Sequence, residues 1–164
     1  MAIRRQAFEP GHRAKVLVII DDTPECMRAA LFAARRVMRT GASIILLAII
    51  VEEDSQLWRG IGSLMLAEAE AEANERLDKA AATIAAITGA MPERVIRTGP
   101  PIREVMSLIE QDADIATLVL AAGAANEGPG PLVSMIAGRM SAQFPVPVTL
   151  VPGGLPEADF EALA

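Results

Sequence analysis

Hydrophobic positions in this chain follow two rhythms. Lys15 to Ile20 (KVLVII), Ser43 to Val51 (SIILLAIIV) and Ile115 to Ala122 (IATLVLAA) are runs of Val, Ile, Leu and Ala, with Thr117 the one polar residue inside them. Such runs predict strands buried on both faces of a parallel sheet. Between them the apolar positions recur every three or four residues, which predicts helices. One stripe passes through Cys26 or Met27, Ala30, Ala34, Val37 and Met38. A second uses Leu77, Ala81, Ile84 and Ile87, and a third Ile102, Val105, Met106 and Ile109.

Polar and small residues punctuate these segments. Thr23-Pro24-Glu25 has the form of a helix start, with Thr23 as the cap, and Thr40-Gly41 and Gly89 read as helix stops. An acidic patch, Glu52-Glu53-Asp54, and a loop holding Trp58, Gly60 and Gly62 precede a long Ala- and Glu-rich helix from Ser63 to Thr88. Arg94 to Arg97 is a short strand, Thr98-Gly99-Pro100-Pro101 a turn, and Asp112-Ala113-Asp114 leads into the strand at 115–122. A helix is expected from Leu132 to Gln143 and a last strand from Val146 to Val151 (VPVTLV).

Strand and helix therefore alternate five strands long, with no internal repeat. This predicts a single-domain α/β fold, an open five-stranded parallel sheet of order 3-2-1-4-5 with helices on both faces. Residues 1–14 are expected to form a loose lead-in, 15–152 the domain, and 153–164 an acidic tail that is either mobile or docked late.

Composition narrows the function classes. Hydrophobic residues make up 52% of the 164-residue chain but aromatics only 3%, so the core must be aliphatic. A net charge of −6 with scattered arginines argues against a nucleic-acid partner. No apolar run is long enough to cross a membrane and the basic start lacks a signal-peptide core, so a cytoplasmic location is expected. A lone Cys26 and a lone His12 exclude a disulfide framework and a His/Cys metal cluster. His12 reads as a solvated residue. Cys26, in the first turn of a helix but on its apolar stripe, reads as core rather than redox sensor.

In such a sheet the ligand crevice lies beyond the carboxyl ends of the strands, where the order reverses. Here strand 1 meets strand 4, bringing Asp21-Asp22 opposite the loop that begins at Gly123. Three known fingerprints fail there. A dinucleotide site needs G-x-G-x-x-G after strand 1, where this chain has DDTPEC. A Walker loop needs a Gly-Lys pair, which is absent. A phospho-receiver needs an aspartate ending strand 3 and a lysine ending strand 5, but Arg97-Thr98 and Val151-Pro152 stand in those places. No nucleophile–His–acid set lies near the crevice, so a non-catalytic role is favoured.

The features that remain are Asp21 after KVLVII, the turn at Gly99-Pro100-Pro101, a strand ending at Gly123 and P-V-x-x-V at 147–151. In this order and spacing the chain resembles the universal stress protein family over Lys15 to Pro152. It is most similar to a proteobacterial branch carrying E-G-P-G-P-L-V-S, here Glu127 to Ser134. The resemblance implies a fold like the adenine nucleotide α hydrolases and a site for ATP or AMP. By position, Asp21 with Asp22 and Thr23 would meet ribose or adenine, and Ile49 at the end of strand 2 would face adenine. Gly99, Gly123, Asn126, Gly128, Gly130 and Ser134 would complete the site. It also implies a homodimer through the last strand, whose apolar edge would otherwise be exposed.

The loop departs from the family's G-x-x-G-x9-G-Ser/Thr pattern. Asn126 replaces the second glycine, no Gly-Ser pair follows, and Gly138 falls too late. Pro129 and Pro131 lack N–H donors, Glu127 adds negative charge, and Arg103 is the only cation between Gly99 and Arg139. Triphosphate binding is expected to be weak or lost, which leaves a smaller or less charged adenine ligand as an open reading. Plainer readings stand beside these. The Asp pair could cap a helix, Gly128 and Gly130 could make a turn, and Ser134 could start a helix. A dimer with an empty crevice, a slow ATPase and a flavin-binding relative are the alternative functions.

Overall fold

The computed structural model describes residues 3–51, 56–124 and 126–164, with residues 56–61 described through their backbone alone. Five parallel strands form one sheet in the order β3-β2-β1-β4-β5. They are β1 (Lys15–Ile19), β2 (Ser43–Ile50), β3 (Glu93–Thr98), β4 (Ile115–Ala121) and β5 (Val148–Val151). The expected order and the expected parallel pairing are both found. Leu17 stands between Ile45 of β2 and Leu118 of β4, and all three are fully buried at the centre of the sheet.

Each face of the sheet carries its own core. Helices α1 (Glu25–Thr40) and α2 (Gln56–Thr88) cover one side, where Ala30, Ala33, Ala34, Leu77 and Ala81 meet Val16, Val18 and Leu46. Alanines on both helices allow them to lie close to the strands and to each other. Helices α3 (Pro101–Gln111) and α4 (Pro131–Ala137) cover the other side with Val105, Ile109, Val133 and Ile136.

Several boundaries differ from the sequence reading. Helix α2 extends through Gly60 and Gly62 instead of starting at Ser63, giving 33 residues. Ala, Glu and Leu are strong helix formers, and a glycine costs only about 1 kcal/mol in such a helix. The acidic patch 52–54 lies outside the described residues. Helix α4 stops at Ala137 rather than Gln143, because Gly138 (φ −93°, ψ −98°) leaves helical geometry. The β5 ladder starts at Val148, since Pro145 and Pro147 have no N–H to donate; the Pro147 carbonyl instead accepts from Leu118 N at 3.0 Å. Met38, placed on the apolar stripe of α1, is 59% exposed.

Both chain ends are tied down. Ahead of β1, Ala7 is buried, Gln6 N donates to Ala113 O, and Arg5 Nη1 donates to Asp112 O at 2.9 Å. His12, expected to be solvated, pairs through Nδ1 with Asp114 at 2.7 Å. After β5, a 3-10 turn at Glu157–Asp159 leads into a short helix α5 (Phe160–Leu163). Phe160 is 2% exposed and meets Phe32 of α1 edge to face, with centroids 5.6 Å apart. Arg28 lies over the Phe160 ring at 5.2 Å and donates to the carbonyls of Pro152 and Leu155. The acidic tail is thus docked.

Candidate crevice at the carboxyl ends of the strands

Strand β1 delivers Asp21 to the edge of the sheet, and the residues after it decide how that carboxylate is held. Asp21 Oδ1 accepts from Thr23 N at 2.9 Å and from Thr23 Oγ1 at 2.5 Å. This is an aspartate turn in which the side chain mimics a backbone acceptor. Thr23 is therefore not the helix cap. Pro24 takes that position with φ −67° and no side-chain cap bond. The turn fixes the Asp21 carboxylate in place and leaves Asp22 exposed beside it.

Opposite, β4 runs into the loop at Gly123, as the strand order requires. A cavity of about 190 Å³ separates the two, lined by Asp21, Asp22, Thr23, Cys26, Pro129 and Gly130 among others. Glu25 also lines it, and the same carboxylate approaches Gly123, where a β-carbon would sit 3.4 Å from Glu25 Oε1. Gly123 itself is closed in by its own loop, because a β-carbon there would stand 2.5 Å from the Gly128 carbonyl oxygen.

The loop's remaining residues serve its shape. Gly128 (φ +76°) and Gly130 (φ +91°) both adopt conformations that L side chains rarely reach. Asn126 and Ser134 are exposed and lie outside the lining of this cavity. Ser134 sits inside α4, and its amide already donates to Gly130 O at 3.0 Å. Since Pro131 has no N–H, the first turn of α4 offers at most the amides of Leu132 and Val133.

Ile49 and Gly99 stand apart from the Asp21–Gly130 gap. Gly99 donates its amide to Ile50 O at 2.9 Å and faces Glu104, whose carboxylate occupies the space of the missing side chain. Ile49 belongs to a separate cavity of about 250 Å³ with Val51, Met65, Ala69, Glu72 and Arg76. A third cavity, of about 320 Å³, runs from Asp21, Asp22 and Thr23 to Arg76 and Lys79 of α2. Sequence reasoning missed these two cations. Their signal is an i, i+3 spacing between the buried positions Ala73, Leu77 and Ala80, which sets both on one flank of the helix.

Cys26 lies on the floor between the cavities, with its Sγ 3.5 Å from Asp21 O. Burial pushes its thiol above the ordinary range, reinforced by the Asp21 charge and opposed by the Asp21 carbonyl contact and by Arg76. The helix start does not activate it. Among the described residues no three His, Cys, Asp or Glu side chains gather as metal ligands. No described helix is long and apolar enough to cross a membrane.

A further groove of about 540 Å³ lies between α4 and β5, adjoins the first cavity at Leu120 and Val133, and is walled by Val133, Ile136, Phe144, Val146, Val148 and Leu150. Leu150, on the outer strand, is 44% exposed.

Comparison with known proteins agrees with this architecture. The model of the universal stress protein family matches residues 12–152. Among solved structures, the chain is similar to the universal stress protein UspA from Lactobacillus plantarum at 18% identity and TM-score 0.71, covering 84% of this chain and 97% of that one. The universal stress protein from Archaeoglobus fulgidus in complex with dAMP aligns at 17% identity and TM-score 0.59, over 84% and 97% of the two chains. A universal stress protein family member from Arabidopsis thaliana with AMP bound aligns at 16% identity and TM-score 0.58, over 85% and 91%. None of the curated proteins matches the sequence significantly. The sheet order and helix placement are those of the adenine nucleotide α hydrolase-like fold.

Proposed function

The chain belongs to the universal stress protein family, and on that footing we propose that it is a non-catalytic sensor or regulatory module binding an adenine nucleotide in the crevice between β1 and β4. A ligand with one phosphate is preferred, and a triphosphate is bound weakly. Two structural relatives, one in complex with dAMP and one with AMP bound, support the ligand class. Asp21, with its carboxylate held by Thr23, is the residue that would meet the ribose.

One observation carries the preference against a triphosphate. The wall made by the β4–α4 loop supplies Pro129, Gly130 and Pro131 and no cation among its described residues, and Glu25 of α1 adds a negative charge beside it. Helix α4 is only seven residues long, so its dipole offers little in place of that charge. The amides of Leu132 and Val133 can satisfy one phosphate but not three.

Thermal shift and calorimetric titration of the purified protein with ATP and AMP test this reading. AMP should raise the melting temperature, since a ligand binding only the native state stabilises it. ATP at equal concentration should raise it less. Tight ATP binding would sink the proposal, and phosphate release from ATP would move the protein to the slow-ATPase alternative.

A second reading follows from β5. Its outer edge is unpaired among the described residues, and Leu150 and the adjoining apolar groove lie beside it. Pairing of β5 with β5 of a second copy would cover them, which supports a homodimer. Sedimentation of the native protein against Leu150→Lys tests it, the variant being expected to sediment as a monomer.

A further inference from the structure

After residue 152, where the family match ends, the chain stays against the crevice loop. Val151 O accepts from Ala122 N at 2.9 Å, and Gly153 then rests on the backbone of Gly123. Gly123 is in turn pressed on Gly128, since a β-carbon on Gly123 would stand 2.5 Å from the Gly128 carbonyl oxygen. Three backbones are stacked with no side chain between them. The last leads into Pro129 and Gly130, which line the cavity that Asp21 also lines. Groups packed this closely transmit a displacement, because no gap absorbs it.

The segment that carries Gly153 is gripped from α1. Arg28 donates through Nη2 to Pro152 O at 3.1 Å and to Leu155 O, which ties both ends of the turn after β5. Its guanidinium also lies over the ring of Phe160, which is buried against Phe32. Farther along, Arg39 donates to Glu161 O. Arg28, Phe32 and Arg39 all belong to α1. A segment resting on one helix through one aromatic ring and a few hydrogen bonds belongs to the low-stability end of a fold. The turn of α1 that carries Arg28 also presents Glu25, Cys26 and Ala29 to the crevice. It therefore faces the ligand space on one side and holds this segment on the other.

We propose that Pro152 to Phe160 forms a strap that sets the crevice loop, with Arg28 as the positioning residue that clasps it. Attached, the strap presses Gly153 onto Gly123 and fixes the wall made by Pro129 and Gly130. Released, it frees that wall, and a ligand must then order the loop on binding, which lowers its affinity. The assignment rests on the adenine-nucleotide reading above and adds how the affinity of that site is controlled. Coupling of this kind is reciprocal, so a ligand that holds the loop also holds the strap.

The test combines amide hydrogen exchange with calorimetric titration of AMP, on the native protein, Arg28→Met, Phe160→Ala and Leu163→Ala. The first two variants remove the clasp and the anchor. Leu163→Ala alters an exposed side chain of the same segment and should match the native protein throughout. In Arg28→Met and Phe160→Ala the amides of Ala122 and Glu127 should exchange about tenfold faster, and AMP should bind about tenfold more weakly, the scale of one lost charged hydrogen bond. The amides of Gly41 and Gly89, which close α1 and α2 at their far ends, should keep their rates and report an intact fold. In the native protein AMP should slow exchange at the Leu155 amide, which donates to Pro152 O at 3.1 Å within the strap. A segment that only added stability would not respond to the ligand. Unchanged loop exchange in both variants, or unchanged AMP affinity despite a faster loop, overturns the assignment while leaving the nucleotide site standing. Failure of the native protein to bind AMP removes that site, and the control of its affinity with it.

Discussion

Gly153 rests directly on Gly123. A β-carbon at 153 would be driven into the Gly123 carbonyl, 2.8 Å from its carbon and 3.0 Å from Ala122 O. The two glycines bring the exit of β5 against the start of the crevice loop, so the loop's position depends on a residue thirty places further on. Gly153→Ala should destabilise the protein by about 1–3 kcal/mol, the usual cost of overpacking. Gly154→Ala, with nothing within 4 Å of the added carbon, should be close to neutral. Urea denaturation of both variants decides, and equal stabilities would show that the backbone yields freely here.

Phe160 anchors the carboxyl-terminal segment by its edge-to-face contact with Phe32 and its stacking with Arg28. Truncation to alanine should cost about 3 kcal/mol, at the low end for a buried phenylalanine because the segment can detach without opening the main core. Equilibrium unfolding measures the loss. A loss below about 0.5 kcal/mol would mean that the segment contributes nothing to stability.

Lys15 bonds to Asp112 at 2.7 Å and to Glu93 at 2.9 Å, joining β1 to the end of α3 and, across β2, to the start of β3. Burial alone would lower its ammonium, but the two carboxylates override that and hold it above its ordinary value. A raised folded value means the contribution is complete below the ordinary lysine pKa of about 10.4 and fades as pH climbs through the folded value. Lys15→Met should cost about 1 kcal/mol near neutrality. The gap between variant and native protein should narrow in unfolding curves recorded above about pH 11. A gap independent of pH would assign the loss to packing.

Cys26 is 8% exposed, and burial raises its thiol. At about pH 8 it should react with iodoacetamide at least about tenfold more slowly than a free thiol, because thiolate and access are both limiting. Adding denaturant should restore the ordinary rate. Rapid reaction of the native protein would reopen a redox role.

The strands were readable because β1, β2 and β4 are largely buried and are apolar apart from Lys15 and Ser43 at their first positions and Thr117 in β4. Their order placed Asp21 opposite Gly123 correctly. Helix ends were harder. Gly60 and Gly62 resemble loop residues, yet they lie in a helix whose Ala and Glu content outweighs them. Gly138 ends α4, although apolar periodicity continues beyond it to Met140. Arg76 and Lys79 were invisible as crevice residues, since a charged position on a long helix ordinarily faces water. Only the packing of α2 against α1 and β2 brings that flank beside the end of β1. Phe160 gave no warning either, being one aromatic among acidic residues with no period.

The two rims of the sheet differ in kind. On β3, Arg94 is tied to Asp78 and Asn74 and Arg97 to Gln111, so charged side chains guard that rim. On β5 the short apolar run VTLV carries the exposed Leu150 and no charge. Backbone addition is therefore permitted at one rim and discouraged at the other. Two copies meeting through β5 would turn both guarded rims outward and leave no place for a third. The sheet would then carry its own chain terminator: self-association that began at β5 would end at ten strands as a closed pair and would not grow into a filament.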